Sequence, residues 1–241
     1  LYEIISEINL EILNDTQISL PVHVSKEDII TKYLKDRHEI NYKKIHEQAS
    51  VGLINGLWAN SLGMGGIIQI ESCYIPSSNL FELKLTGLQG DVMKESMTVA
   101  KTLALKLTTD KKKKTLISKI TKNKLQGIHI HCPEGSVPKD GPSAGTAITT
   151  VLYSLLNDKK IKNHIAITGE INLQGKVTKI GGLDLKILGG IRAGVTHFIY
   201  PIENQKDFLK FKEKYEDKHI LDNIEFTPVS NISEVLDIVF I

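Results

Sequence analysis

Cysteine is scarce in this sequence, with only Cys73 and Cys132 among 241 residues. The two lie far apart and outside any CxxC pattern, so a cysteine-based metal or redox motif is not indicated. Both occupy apolar, strand-like surroundings, which predicts two buried, reduced thiols. A disulfide between them is the minor alternative.

Excess charge and long apolar runs are also missing. Lysine and arginine number 30 against 28 acidic residues, and this balance gives no global electrostatic case for nucleic-acid binding. No apolar run approaches the roughly 18 residues of a membrane span, and no signal-peptide pattern is visible. The composition, 41% hydrophobic and 24% charged, predicts a soluble globular protein with a sizeable core. Since the chain begins at Leu1 rather than Met, we expect a fragment of a longer protein.

Residues 1–37 carry a pattern unlike that of the rest of the chain. The residues from Glu3 to Leu13 are predicted to form a helix, and those from Leu20 to Val24 a short strand. Ser25 precedes acidic residues and an apolar run, which is typical of a helix N-cap. This piece is too short to bury its own core, so we expect it to complete a domain that lies outside the chain.

A polar, charge-rich segment at 38–50 is the predicted linker to a second domain at 51–241. That domain mixes strands and helices, which predicts an α+β fold with mixed β-sheets packed by helices. Strands are predicted at 51–59, 65–75, 81–87, 197–201 and 223–229, with two more joined by a turn at 172–175. Helices are predicted at 90–107, 183–193, 204–215 and 233–240.

A cluster of lysines runs from Lys111 to Lys124. Such a run can bind phosphate groups, but no aromatic side chains are interleaved to stack on bases. A solvated loop or helix face explains it better. A nucleic-acid-binding module that uses residues 111–124 is kept as an alternative function.

The stretch at 127–144 reads GIHIHCPEGSVPKDGPSA. Its first residues alternate at period two and predict a strand, its Gly/Pro-rich middle predicts a loop, and a helix is predicted to start near Pro142 or Ser143. A serine at such a junction places its hydroxyl beside unpaired backbone N–H groups, which favour negative charge on an attacking oxygen. Ser143 is therefore a candidate nucleophile, although a Gly-Pro-Ser turn also fits an ordinary N-cap.

The second candidate is Lys186 in the segment GGLDLKILGGIRAG. On a helix, Leu183, Ile187 and Ile191 form one apolar stripe, and Lys186 lies at its edge. Partial desolvation there disfavours the ammonium form, so this lysine could serve as a general base. The pattern alone favours instead a lysine whose stem packs on the core while its amine reaches water.

A metal site would have to use His129 and His131, which the predicted strand places on one face. No third or fourth ligand follows from the spacing, so no metal site is predicted.

Two motifs in the right order resemble the proteolytic domain of Lon proteases, the ATP-dependent Ser–Lys peptidases. They are PKDGPSAG at 138–145 and TGEINLQGKVTKIGGLDLKILGGIRAG at 168–194. The segments HIHCPEG, LTGLQGDVMKES, GLWAN and YPIENQKDF also have Lon counterparts. The likeness covers about residues 50–241, and it implies a Lon-type proteolytic domain. Residues 1–37 resemble the end of the small helical subdomain of the Lon ATPase module.

The resemblance implies a role for four residues. Ser143 and Lys186 map to the catalytic Ser–Lys dyad, and Thr168 to the threonine that orients the lysine. Asp140 maps to a switch aspartate that can approach the lysine, so a regulatory role is expected for it. The lysine helix departs from the family pattern, because Gly189 and the following glycine replace two alanines and lower helix propensity.

The resemblance also implies the setting in which the chain works. It implies a serine endopeptidase that degrades misfolded or damaged proteins as part of an ATP-dependent homo-hexamer. No cofactor is expected in this chain; ATP and Mg belong to an ATPase module, and no Walker A sequence is present here. An intracellular location, in the mitochondrial matrix or cytoplasm, is expected, without membrane contact. An inactive Lon-like scaffold, or weakly supported DNA binding, is the alternative.

Overall fold

The computed structural model describes residues 1–14, 20–35, 43–133 and 139–241. The chain divides into two units, Leu1–Asn41 and Tyr42–Ile241. The predicted domain bounds at 37/38 and 50/51 stay predictions. Residues 38–42 of the predicted linker and 134–138 of the predicted Gly/Pro loop lie outside the described residues.

The smaller unit is helical. It contains helix α1 (Tyr2–Asn14) and the short helix α2 (Lys26–Asp28), which continues as a π-helical turn at Ile29–Tyr33. The predicted cap is confirmed: the Ser25 hydroxyl accepts a hydrogen bond from the Asp28 N–H at 3.0 Å, and the Asp28 carboxylate accepts one from the Ser25 N–H at 2.8 Å. This reciprocal capping box fixes the first turn of α2.

The strand predicted at Leu20–Val24 is wrong, because these residues adopt no strand conformation. A strand needs a neighbour to pair with, and the described part of this unit supplies only helices. Tyr33 is the one buried side chain among the described residues of the unit. The described residues of the unit therefore bury very little of their apolar surface.

The larger unit contains the remaining elements among the described residues. Its helices are α3 (Asp91–Leu107), α4 (Asp110–Lys122), α5 (Gly145–Asn157), α6 (Leu183–Ala193), α7 (Gln205–Tyr215) and α8 (Ile232–Val239). Its strands are β1 (Leu53–Ala59), β2 (Gly65–Ile75), β3 (Leu83–Thr86), β4 (Gly127–His131), β5 (Ile165–Ile167), β6 (Glu170–Ile171), β7 (Val177–Thr178), β8 (His197–Pro201) and β9 (Glu225–Val229).

The described strands form a seven-stranded sheet in the order β3-β4-β2-β1-β5-β8-β9, with β6 and β7 as a separate hairpin. Strand β2 runs antiparallel to both β1 and β4, and the other neighbours in the large sheet are parallel. The α+β class with a mixed sheet, predicted from the pattern, is confirmed. The parallel half, β1-β5-β8-β9, ends close to the residues of the candidate site.

Helices pack on both faces of the sheet, so two apolar cores form. On one face, side chains of β2 and β4 such as Ile70 and Ile130 pack with those of α3 and α5, such as Met97 and Val151. On the other face, α6 and α7 pack on β1, β5 and β8. One side of helix α6 therefore packs in this second core, and other residues of the same helix line the cavity described below.

The expectation of two buried thiols is half correct. Both cysteines are free, as predicted, but Cys132 is buried while Cys73 is exposed. Cys73 shares a sheet face with Glu71, and its partner across the β2–β4 ladder is His129. Side chains alternate between the two faces along a strand, so Cys73 lies on the same face as these polar side chains and not in the core.

The lysine-rich segment forms α4, whose apolar residues Leu116 and Ile120 are buried. Its lysines lie on the outer side of an amphipathic helix, which confirms the prediction of a solvated helix face. Among the described residues, no helix is long and apolar enough to cross a membrane.

Candidate functional site

Ser143 lies in the turn that leads from the sheet into α5. Gly141 enters this turn at a φ of 108°, a value that favours glycine, and Pro142 opens a 3₁₀ turn at Pro142–Ala144. The α-helix proper starts at Gly145, shortly after the start predicted near Pro142 or Ser143. The Ser143 hydroxyl makes no hydrogen bond to the described residues, and Ser143 lines a cavity of the larger unit.

Lys186 is buried on the second turn of α6, with 3% of its surface exposed. The apolar stripe holds it there, since Leu183 and Ile187 are both buried in the core under this helix. The pattern placed the lysine at the edge of the stripe; the structure buries it almost completely. Burial lowers the pKa of the Lys186 ammonium to about 8, because water no longer stabilises the charge.

Thr168 connects the Lys186 amine to the backbone of Ser143. It is fully buried at the end of β5, where its backbone N–H donates to the Ile199 carbonyl. Its hydroxyl accepts a hydrogen bond from Lys186 Nζ at 3.2 Å and donates one to the Ser143 carbonyl oxygen at 3.3 Å. The Gly169 N–H donates to the same carbonyl at 2.8 Å. The turn that carries Ser143 and the helix that carries Lys186 are therefore joined through one hydroxyl.

Ser143 and Lys186 both line a cavity of about 730 Å³. Its size suits several side chains of an extended peptide. Apolar side chains from different elements form much of its wall: Leu57, Trp58, Met64, Ile68, Met93 and Ile180. Both residues thus belong to the lining of one mainly apolar cavity.

Asp140 lies at the cavity edge, but its carboxylate is engaged elsewhere. Oδ1 accepts hydrogen bonds from the Met93 N–H at 3.0 Å and the Gly141 N–H at 2.8 Å. Helix α3 begins after Gly90, which has no side chain to cap it, so Asp140 supplies the missing cap from another segment. In this conformation, desolvation is the cause of the lowered Lys186 pKa, and no carboxylate opposes it.

This arrangement predicts a stability loss for Asp140→Ala. Removing the carboxylate leaves the Met93 N–H without its acceptor, so the free energy of unfolding should fall by about 1 kcal/mol. Denaturant unfolding followed by circular dichroism measures this change. Asp140→Asn keeps an oxygen acceptor and should lose less. An alanine variant as stable as the wild type would refute the capping role.

The two histidines of β4 form hydrogen bonds to a neighbouring hydroxyl through their ring nitrogens. His129 Nε2 and His131 Nδ1 both hydrogen-bond Thr86 Oγ1, at 2.8 and 2.7 Å. Within the described ranges, no group of three or more histidine, cysteine or acidic side chains is arranged to hold a metal ion.

Sequence reasoning missed two features of this site. One is Asn204, whose buried side chain accepts from the Ile180 N–H at 2.9 Å and donates to the Ile180 carbonyl, holding one wall of the cavity. The other is a glycine pair: a side chain on Gly189 would collide with the backbone of Gly65. Adjacent glycines inside a helix are a signal of close packing, and the sequence displayed that signal.

Comparison with known proteins finds one matching family and several relatives. The family described as Lon protease (S16) C-terminal proteolytic domain matches residues 23–241. A Lon protease homolog of Acanthamoeba polyphaga mimivirus is 39% identical over 214 residues, which is 87% of this chain and 20% of the relative. The Lon protease of Fervidobacterium nodosum is 38% identical over 236 residues, 98% of this chain and 27% of the relative. The chain thus spans between a fifth and about a quarter of these relatives' length.

Proposed function

The chain belongs to the family of Lon protease C-terminal proteolytic domains, and on that premise we propose that it is a serine endopeptidase with a Ser143–Lys186 dyad. One observation carries this assignment. Ser143 lines the same cavity as Lys186, and this buried lysine, with its pKa lowered to about 8, can supply a neutral amine near neutral pH.

The proposed reaction proceeds in two halves. Lys186 Nζ accepts the proton of Ser143 Oγ while that oxygen attacks the carbonyl carbon of a peptide bond. The C–N bond then breaks, Lys186 returns the proton to the leaving amine, and an ester to Ser143 remains. In the second half, Lys186 takes a proton from water, the hydroxide attacks the ester, and Ser143 Oγ regains the proton.

Backbone N–H groups around Ser143, in the turn that precedes α5, are the proposed oxyanion hole. They lie at the amino end of a 13-residue helix, where the helix dipole favours negative charge. One such donor is typically worth about 3–4 kcal/mol in the transition state.

Thr168 is the proposed orienting residue for the lysine. Its hydroxyl accepts from Nζ and directs one proton away from the reacting lone pair. Asp140 is the proposed regulatory residue: if it left α3 and approached Lys186, its negative charge would raise the pKa of the amine and remove the base. In the capped position seen here, the Asp140 carboxylate is bonded to the start of α3, and nothing in the described part of the chain opposes the lowering of the Lys186 pKa by burial.

The longer protein is proposed to be an ATP-dependent homo-hexamer that degrades unfolded or damaged proteins inside the cell. Support comes from the relatives' names and from the fraction of their length that the chain spans. The mainly apolar cavity also suits side chains that folded proteins keep buried. In this scheme ATP and Mg serve an ATPase module elsewhere, and the peptidase reaction in this chain uses neither.

Covalent labelling tests the assignment directly. A fluorophosphonate probe should modify the protein at Ser143, as mapped by mass spectrometry, and labelling should stop cleavage of an unstructured substrate such as casein in proportion. Prior acid unfolding should abolish labelling. Cleavage that continues after complete labelling, or a probe that maps to another residue, would refute the proposed nucleophile.

A further inference from the structure

Helix α6 touches the sheet through bare backbone where Gly189 meets Gly65 at the start of β2. A side-chain carbon on Gly189 would lie 2.2 Å from the carbonyl carbon and oxygen of Gly65. A side-chain carbon on Gly65 would lie 2.1 Å from the Leu185 carbonyl oxygen and 3.1 Å from the Lys186 nitrogen. Arg192 Nη2 donates to the Gly65 carbonyl at 3.2 Å. We call the pair Gly65 and Gly189 the glycine contact.

The next residue of β2 makes room for the sole tryptophan of the chain. Gly66 pairs with Trp58 across the β1–β2 ladder, and a side-chain carbon on Gly66 would lie 2.9 Å from the indole nitrogen. The indole N–H donates to the Ile67 carbonyl at 3.1 Å. Trp58 and Lys186 both line the cavity. Gly65 therefore positions the helix that carries the lysine, and Gly66 leaves space for the indole ring.

We propose that the glycine contact is a positioning element of the peptidase site, because it fixes the depth at which α6 holds Lys186 against Thr168. The proposal rests on the proposed function, since it takes Lys186 to be the base. Gly65 and Gly189 are therefore positioning residues that act through the lysine.

Steric distances support this role. The atoms that an added side-chain carbon would meet at either glycine belong to main chain, which cannot rotate aside, and ordinary contact begins near 3.4 Å. An alanine therefore pushes α6 away from β2 by roughly an ångström. The hydrogen bond from Lys186 Nζ to Thr168 is 3.2 Å long and does not survive such a displacement.

Displacement also changes the protonation of the lysine. Burial is the cause of its lowered pKa, so an amine lifted toward water regains a pKa closer to its ordinary value of 10.5. The titratable groups that line the same cavity are Lys43, Lys139, Asp140, Glu170 and Lys179. All of them remain in a Gly189→Ala variant, which isolates the effect of helix position.

The first experiment measures the pH profile of peptide cleavage in Gly189→Ala. The wild-type rate should rise with pH to a plateau above about 8, whereas the variant should reach its plateau at least about one unit higher, with about tenfold lower activity at neutral pH. Alanine is a better helix former than glycine, so weaker helix formation cannot cause this loss. A general loss of folded protein would lower the rate equally at every pH.

Gly66→Ala is the matched comparison. The atoms in its way are the far end of the Trp58 side chain, so the indole should move and the backbone should stay. Its tryptophan emission should shift to longer wavelength as the ring loses its carbonyl partner and gains water, while the plateau keeps its wild-type pH. Because the chain has a single tryptophan, the emission reports this ring alone.

If Gly189→Ala does not fold, the pH profile of Arg192→Lys tests the proposal instead. This variant keeps the positive charge but has a shorter reach to the Gly65 carbonyl. Its activity plateau should move to higher pH, by less than in Gly189→Ala. A folded Gly189→Ala variant with the wild-type pH profile of cleavage would overturn the positioning role. If that variant is unfolded, a wild-type pH profile in Arg192→Lys would overturn it. Failure of the proposed function looks different, since cleavage would then survive Ser143→Ala whatever the glycine variants do.

Discussion

Ser143→Ala should abolish peptide cleavage, with kcat reduced by about 10⁴-fold or more, while the fold stays intact. The loss is large because no other group can form the acyl-enzyme. Stability should change by less than about 0.5 kcal/mol, since the hydroxyl makes no hydrogen bond to the described residues. Initial rates on a fluorogenic peptide, together with thermal unfolding, measure both effects.

Ser154→Ala is the matched control, since this serine lies on α5, the helix that follows the Ser143 turn. Its buried hydroxyl accepts a hydrogen bond from the Gly52 N–H at 3.0 Å and donates one to the Lys159 carbonyl. The control should therefore lose about 1–3 kcal/mol of stability and keep its cleavage activity. Residual cleavage by Ser143→Ala within tenfold of the wild type would contradict the nucleophile assignment.

Sequence periodicity was sufficient where local pattern decides burial. The stripe of Leu183 and Ile187 predicted the buried face of α6, and the alternation at 127–131 predicted β4. Periodicity failed where strand formation or burial depends on a neighbouring segment. The segment Leu20–Val24 has strand-forming residues but no strand beside it among the described residues, and Cys73 lies on the polar part of a sheet face.

The candidate residues of the site followed from the resemblance, but their connections did not. Thr168 joins the Ser143 carbonyl to the lysine amine, and Asp140 caps α3, a helix that begins far earlier in the sequence. Gly65 and Gly189 belong to elements far apart along the chain, so their backbone contact follows from packing alone. For this reason the glycines that depart from the family pattern have a structural explanation that helix propensity could not supply.

Lys186→Met should be inactive and more stable than the wild type. Methionine fills nearly the same volume without a proton acceptor, so cleavage should fall by about 10³-fold or more. The Thr168 hydroxyl keeps its bond to the Ser143 carbonyl, so the site should hold its shape. A variant that retains substantial activity would remove the lysine from the mechanism.

The stability gain follows from linkage. The pKa of the lysine falls from 10.5 in the unfolded chain to about 8 in the folded protein, so folding opposes the charged amine. This penalty is fully present below about pH 8 and disappears as the pH rises toward 10.5, because the unfolded state then loses its extra proton. The variant should be more stable by about 2–3 kcal/mol at neutral pH, and the difference should vanish near pH 10.5.

The same shift determines the activity of the wild type. At pH 7.5, about a quarter of the lysine is neutral with a pKa near 8, against about 0.1% at the ordinary value, a gain of roughly 200-fold in competent base. Unfolding free energies of wild type and Lys186→Met, measured from about pH 7 to pH 10, test both consequences of burial together. Equal stabilities across that range would show that the amine is hydrated in the folded protein, and the dyad would then lack its base.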